Sequence, residues 1–233
     1  HEIIVIDNCS SDNTADILKN KYGSELKIIR NDFEKSLAEC KNIGVNEARG
    51  EIIAFTDDDC MPSANWLERI FASFKSNDCD IAAGPVRLLN ELRFPWWWRP
   101  SLNWTIGIAE INSNKFLPLG SNVAFRKDAY IEIESLLNNG AEKEIVYTED
   151  NSRINVAIKK GYKIKLDDSM VVYHNIGQER LSFSYLIKRS WLEGEHWAKN
   201  KKSKKILASR IAAFLFNPLR FIVSLDLNYI LRA

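Results

Sequence analysis

Three consecutive aspartates, Asp57, Asp58 and Asp59, close the apolar run of "EIIAFTDDDCMP" at 51–62. Like charges that close repel and resist desolvation, so a cation that neutralises them is the expected partner. Side chains alternate along an extended chain, which sets Asp57 and Asp59 on one side of the backbone. Paired hard oxygen ligands suit Mg²⁺ or Mn²⁺, which take one or two protein carboxylates and complete their shell with water and substrate phosphates. The competing reading makes the aspartates caps for a helix starting near Pro62, which accounts for one carboxylate and leaves two unexplained.

A second polar strand end occurs in "VIDNCSSDNT", where Asp7 and Asn8 precede hydroxyls and Asp12. Backbone N–H groups at such a turn suit a nucleotide phosphate, and a carboxylate or amide there can hydrogen-bond a base or ribose. Helix capping explains the same residues equally well. No P-loop, GxGxxG fingerprint, nucleophile elbow or HExxH occurs, so any phosphate binding rests on the metal.

The elements that must position these groups follow from periodicity. Short apolar, β-branched runs recur at 2–7, 26–30, 51–57 and 80–86, each followed by a helical pattern. The first helix carries Ile17, Leu18 and Tyr22 on one face, the second Leu37, Cys40 and Ala48, and the third, over 62–77, is expected to bury Leu67, Ile70, Phe71 and Phe74. Strands alternating with helices imply an α/β fold, a doubly wound and mainly parallel sheet with helices on both faces. Ligands bind such sheets at the carboxyl ends of their strands, so Asp7 and Asp57–Asp59 are expected at one crevice.

After residue 86 the pattern changes. "FPWWWRPSLNW" holds four of the seven tryptophans beside two prolines, too broken for a helix. It is suited to stacking on sugar rings or to a membrane surface. A turn, strand and helix are expected over 119–137, a helix over 149–160 stopped by Gly161, two strands ending at His174, and helix from 181 onward. "KNKKSKKILASRIAAFLFNPLRFIVSL" joins a cationic run to an apolar segment broken by Arg210, Asn217, Pro218 and Arg220. Its uncharged stretch falls well short of the roughly 18 residues a spanning helix needs. It reads as an interfacial anchor on an anionic cytoplasmic leaflet or as a packed helix pair.

The 233 residues, 45% hydrophobic and 27% charged, suffice for a buried core. With 32 basic and 31 acidic groups and a net charge of +1, no global field favours nucleic acid. Cys9, Cys40, Cys60 and Cys79 form no CxxC pair or zinc spacing, so reduced, buried thiols and a cytoplasmic location are expected. The chain opens inside a strand-like run with no basic leader, as a fragment lacking a first element would.

Taken together, "EIIVIDNCSSDNT", "CKNIGVNEARGEIIAFTDDDCMPSANWLE", "LGSNVAFRKDA", "YTEDNSRINVAIKKGYKI" and "MVVYHN" resemble, in order, the family 2 glycosyltransferases of the GT-A fold over about residues 2 to 197. The resemblance implies a GT-A core over 1–180 and a helical C-terminal segment over 181–233. It also implies an inverting transfer of a sugar from a nucleotide-diphosphate sugar to a hydroxyl on a saccharide or lipid-linked acceptor. Asp57 and Asp59 then hold Mg²⁺ or Mn²⁺ against the diphosphate, with Asp58 near the ribose and His174 near the metal. Asp7 and Asn8 correspond to the base-contacting pair, and Lys41 stands where many members have an arginine. Gly120, Ser121 and Asn122 correspond to the turn lining the sugar and acceptor site. Asp150, of the Glu149–Asp150 pair, corresponds to the catalytic base, and Arg189 and Trp191 to the helix that closes over the donor.

Two departures stand out. The family's opening strand with its Pro-Thr-Tyr-Asn-like turn has no counterpart, and "LLNNGAEKEIVY" replaces the usual "GGF" stretch. A sugar-phosphate nucleotidyltransferase and a catalytically silent nucleotide- or sugar-binding module are the alternative readings.

Overall fold

The computed structural model describes residues 1–75, 78–111, 118–138 and 149–198; the side chains of 149–151 and 193–198 are not included. The first strand, β1 (Ile3–Asp7), pairs in parallel with β2 (Leu26–Arg30), and Asp7 lies opposite Arg30. Between them runs helix α1 (Thr14–Tyr22), and α2 (Leu37–Glu47) follows β2. Ser36 caps α2: its Oγ accepts from the Glu39 backbone N–H at 3.2 Å, and the Glu39 carboxylate accepts from the Ser36 N–H at 2.9 Å. That reciprocal box satisfies two of the helix's orphan donors.

Strands β3 (Ile52–Phe55), β5 (Ile81–Ala83), β7 (Val123–Arg126) and β8 (Ile164–Leu166) form a four-stranded sheet in the order β3-β7-β5-β8. A three-stranded sheet has the order β4-β9-β6, from β4 (Cys60–Pro62), β6 (Val86–Leu88) and β9 (Val172–His174). Strand β9 is parallel to β6 and antiparallel to β4. The helices are α3 (Trp66–Phe74), α4 (Lys127–Asn138), α5 (Glu149–Lys160) and α6 (Phe183–Ala198). The described residues form two compact units, the first from 1–53 with 125–131 and the second from the described parts of 54–124 and of the chain from 132 onward.

Among the described residues the strands expected in one sheet fall into three, of which β1–β2 is parallel and β4-β9-β6 is mixed. The run at 80–86 is two strands, because the chain leaves β5 at Gly84–Pro85 and enters β6. A Cβ on Gly84 would collide with the Met170 carbonyl and come within 2.9 Å of Asn122 Nδ2, so only glycine permits this crossing. The third helix begins at Trp66 rather than Pro62, since Pro62 ends β4 and Ser63 N donates to the Val171 carbonyl at 3.0 Å. Its inward face is consequently Trp66, Ile70, Ser73 and Phe74, while Leu67 and Phe71 point to solvent. In α1 no residue is fully buried and Ile17 is exposed, because this helix packs on one strand of a two-stranded sheet.

The tryptophan-rich stretch is a turn followed by a 3₁₀ helix over Pro100–Ile106. Trp98, Leu102, Ile106, Ile108, Ile176, Leu181 and Leu186 form one buried cluster, with Trp97 and Tyr185 against it. Of this stretch, Trp96 stays exposed.

Asn122, fully buried, ties three segments of the second unit. Its Oδ1 accepts from Trp66 Nε1 at 2.8 Å, and its Nδ2 donates to the carbonyls of Pro85 at 2.8 Å and Met170 at 2.6 Å. Asn122→Ala strands the Trp66 N–H and the Met170 carbonyl, each costing about 1–3 kcal/mol, while the Pro85 carbonyl keeps the Val172 N–H. Urea denaturation should show a loss of at least about 2 kcal/mol, and a loss under about 1 kcal/mol would contradict the tie.

Candidate active site

In the first unit, Asp7 ends β1 with its side chain out of solvent. Its Oδ1 accepts from the Ser10 backbone N–H at 2.9 Å, and Arg30 Nε lies 3.6 Å from Oδ2. Hydrogen bonds from Ser10, helped by the Arg30 charge, hold this carboxyl below the usual range against the opposing effect of burial. Oδ2 itself is buried and takes no hydrogen bond. Asn8 fastens the facing loop: its Nδ2 donates to the Lys35 carbonyl at 2.8 Å, and its Oδ1 accepts from Lys35 N at 3.0 Å and Asn31 Nδ2 at 2.9 Å. Cys9 sits in the left-handed region at φ 66°, a conformation that turns the chain sharply after the strand. Arg30 and Asn31 were not singled out by sequence; their signal lies in the register of β2 against β1. Lys41 lies half-buried on α2.

The second unit holds the other acidic strand end. Residues 57–60 are a turn, with Cys60 N donating to the Asp57 carbonyl at 3.1 Å. The extended-chain alternation that set Asp57 and Asp59 side by side therefore does not operate here. Asp57 and Asp58 are exposed, whereas Asp59 turns toward β9. Cys60 lies opposite His174 across the β4–β9 pair, and His174 Nε2 comes within 3.0 Å of Asp59 Oδ2. Arg180 Nη2 donates to the same oxygen at 3.2 Å, and its Nη1 lies 3.5 Å from His174 Nε2. On the far side of the ring, Nδ1 meets the Gly107 carbonyl at 3.3 Å. Gly107 has φ +69°, and a Cβ there would stand 2.8 Å from the ring, so the imidazole rests on a position only glycine fills well.

Partial burial pushes the Asp59 carboxyl up, but the hydrogen bond from His174 and the charges of His174 and Arg180 outweigh it and hold the group below its ordinary value. Asp59, Cys60 and His174 offer ligand atoms all within 4.8 Å of one another. Burial first, then the carboxylates of Asp57 and Asp59, push the Cys60 thiol up to about 12. It stays protonated near neutral pH, leaving a carboxylate oxygen and an imidazole nitrogen as the working donors. That donor set fits a divalent ion such as Mg²⁺ or Mn²⁺ better than one that needs thiolate.

The remaining candidates are dispersed. Gly120–Asn122 form the turn before β7, with Ser121 and Asn122 buried and the Asn122 amide committed to the contacts described above. Glu149 and Asp150 open α5, but their side chains lie outside the described residues. On α6, Arg189 is half-buried and Trp191 exposed. The segment 199–233 lies outside the described residues. Cys40 and Cys79 are buried as expected, but Cys9 is exposed. Arg180 was missed by sequence because a cation six positions beyond a strand-end histidine matches no motif.

Residues 1–133 match the family model described as Glycosyl transferase family 2. The chain belongs to this family. Over 203 residues it is 20% identical to the glucosyl-dolichyl phosphate glucuronosyltransferase of Haloferax volcanii, a match covering 82% of this chain and 64% of that protein. Two solved structures are similar in fold. The mannosyltransferase PcManGT from Pyrobaculum calidifontis, in complex with GDP-Man and Mn²⁺, matches at TM-score 0.51 and 15% identity over 99% of this chain and 75% of its own. GalNAc-T7 with UDP, GalNAc and Mn²⁺ matches at TM-score 0.53 and 14% identity over 76% and 38%. The fold is thus of the GT-A type. Among the described residues, no helix is long and apolar enough to cross a membrane.

The two accessible thiols of this family 2 member should differ chemically. At pH 8 iodoacetamide should modify exposed Cys9 first and Cys60 at least about a hundredfold more slowly, because only the thiolate attacks. Peptide mass mapping over time checks this, and equal rates would contradict the protonated Cys60.

Proposed function

We propose that this chain is an inverting glycosyltransferase that moves a sugar from a nucleotide-diphosphate sugar to a hydroxyl acceptor. The observation that carries the reading is the Asp59–His174 pair, 3.0 Å apart at the meeting of β4 and β9 and built of the donors a divalent ion accepts. Asp57, Asp59 and His174 are the residues that would hold Mg²⁺ or Mn²⁺. When bound, such an ion supplies positive charge against the diphosphate as it leaves. Asp7 and Asn8 are the residues we assign to the base and ribose, and Asp58 and Lys41 to further donor contacts.

Asp150 acts as general base. It takes the proton of the acceptor hydroxyl as that oxygen attacks the anomeric carbon, while the bond from that carbon to the diphosphate oxygen breaks on the opposite face. Glu149 keeps the mouth of α5 acidic beside it, which the helix N-terminus favours. Gly120, Ser121 and Asn122 shape the acceptor side, the last through its ties to Trp66, Pro85 and Met170.

The acceptor we favour is a lipid-linked saccharide. The Haloferax relative is named for glucosyl-dolichyl phosphate, and α6 presents Phe183, Ile187 and Trp191 to solvent at helical spacing, as a helix working near lipid does. Arg189 and Trp191 on this helix close over the donor, and 199–233 makes peripheral contact with the cytoplasmic face of the membrane.

Asp150→Asn tests the mechanism. In the full-length protein, transfer from a panel of nucleotide sugars should fall by about two to four orders of magnitude, while donor affinity by calorimetry stays within about threefold of wild type. Retained turnover would remove Asp150 as the base. Pyrophosphate release from a nucleoside triphosphate and sugar phosphate would instead assign nucleotidyl transfer, and no heat with Mn²⁺ and any nucleotide sugar would assign a silent module.

A further inference from the structure

Arg180 belongs to no motif, yet it touches both prospective ion ligands. It stands on a 3₁₀ turn, Gln178–Leu181, whose Leu181 is buried in the aromatic cluster. Its backbone is thereby anchored, while its side chain keeps 32% exposure. The guanidinium lies 3.2 Å from Asp59 Oδ2 and 3.5 Å from His174 Nε2.

The geometry explains why a cation belongs there. The Asp59 Oδ2 oxygen faces the imidazole at 3.0 Å and the guanidinium at 3.2 Å, and the Nδ1 side of the ring is already taken by the Gly107 carbonyl at 3.3 Å. The fixed fork of Arg180, charged at any working pH, sets one nitrogen on the carboxylate and the other 3.5 Å from His174 Nε2.

We propose that Arg180 is a built-in stand-in cation. In the resting protein it pairs with Asp59 and lies against His174; when a divalent ion takes those ligands, like-charge repulsion expels the guanidinium, which then pairs with the donor's diphosphate oxygens. The proposal rests on the reading of Asp59 and His174 as ion ligands. Arginine matches phosphate geometry with two parallel N–H bonds, so the displaced side chain has a partner suited to its shape. The ion and the diphosphate accordingly favour each other's binding, and reciprocally by the same factor.

The test uses Mn²⁺ alone and inorganic pyrophosphate, on wild-type protein, Arg180→Ala and Arg180→Gln. Mn²⁺ affinity without any phosphate, read from the free-ion electron paramagnetic resonance signal, should rise at least tenfold in both variants. Pyrophosphate affinity measured by calorimetry with Mn²⁺ in excess should fall at least tenfold in both. A residue needed only for folding would weaken both ligands, so the opposite signs are diagnostic. Mn²⁺ binding that is unchanged or weaker in the variants, or unchanged pyrophosphate affinity, overturns the role of Arg180 and leaves the ion site standing. Failure of Mn²⁺ to bind all three proteins overturns the site itself and the proposal with it.

Discussion

Asp59 and His174 are 115 residues apart in sequence and meet because β4 and β9 pair antiparallel, with Cys60 opposite His174. The backbone pins both side chains from several directions. Asn175 N donates to the Asp59 carbonyl at 2.8 Å, and Leu89 N donates to the His174 carbonyl at 3.0 Å. An imidazole on a strand and a carboxylate on the turn that leads directly into its partner strand hold their geometry better than the same groups on free loops. The turn at 57–60 then decides which aspartate faces the histidine. It is Asp59, with Asp57 and Asp58 left toward solvent.

The apolar cluster of the second unit supports that pair. Ile106 and Ile108 flank Gly107, Ile176 follows His174 by two positions, and Leu181 adjoins Arg180; all four lie in the same buried group as Trp98 and Leu102. The Gly107 and Arg180 contacts to the imidazole and to Asp59 are therefore attached to the same packed body. Close packing transmits small displacements and resists independent movement of its parts. The tryptophan-rich stretch that reads from sequence as a surface for sugar or lipid spends Trp98 in this way, with its Nε1 satisfied by Asn103 Oδ1 at 3.0 Å. Trp96 alone of its three consecutive tryptophans is left broadly exposed.

Much of the fold was legible because β-branched runs and helical spacing are local signals. The parallel β1–β2 pair, the helix after β2, and the helix opening at Glu149 follow from neighbours within a few residues. What was not legible depends on distant partners. Pro62 looked like a helix start, yet its place is fixed by Val172 across the sheet. Leu67 and Phe71 looked like core, and starting the helix at Trp66 turns them outward. The D-x-D run announced a cation, but its alternation assumed a strand where the chain makes a turn. His174 entered only through the family resemblance, and Arg180 not at all, since nothing near either one in sequence encodes their approach to Asp59.

Anomalous diffraction at the manganese edge, from crystals of the full-length protein grown with MnCl₂ and pyrophosphate, tests the central claim most directly. The account requires a peak within bonding distance of an Asp59 carboxylate oxygen and His174 Nε2. A structure with well-ordered Asp59 and His174 and the manganese bound elsewhere would contradict it.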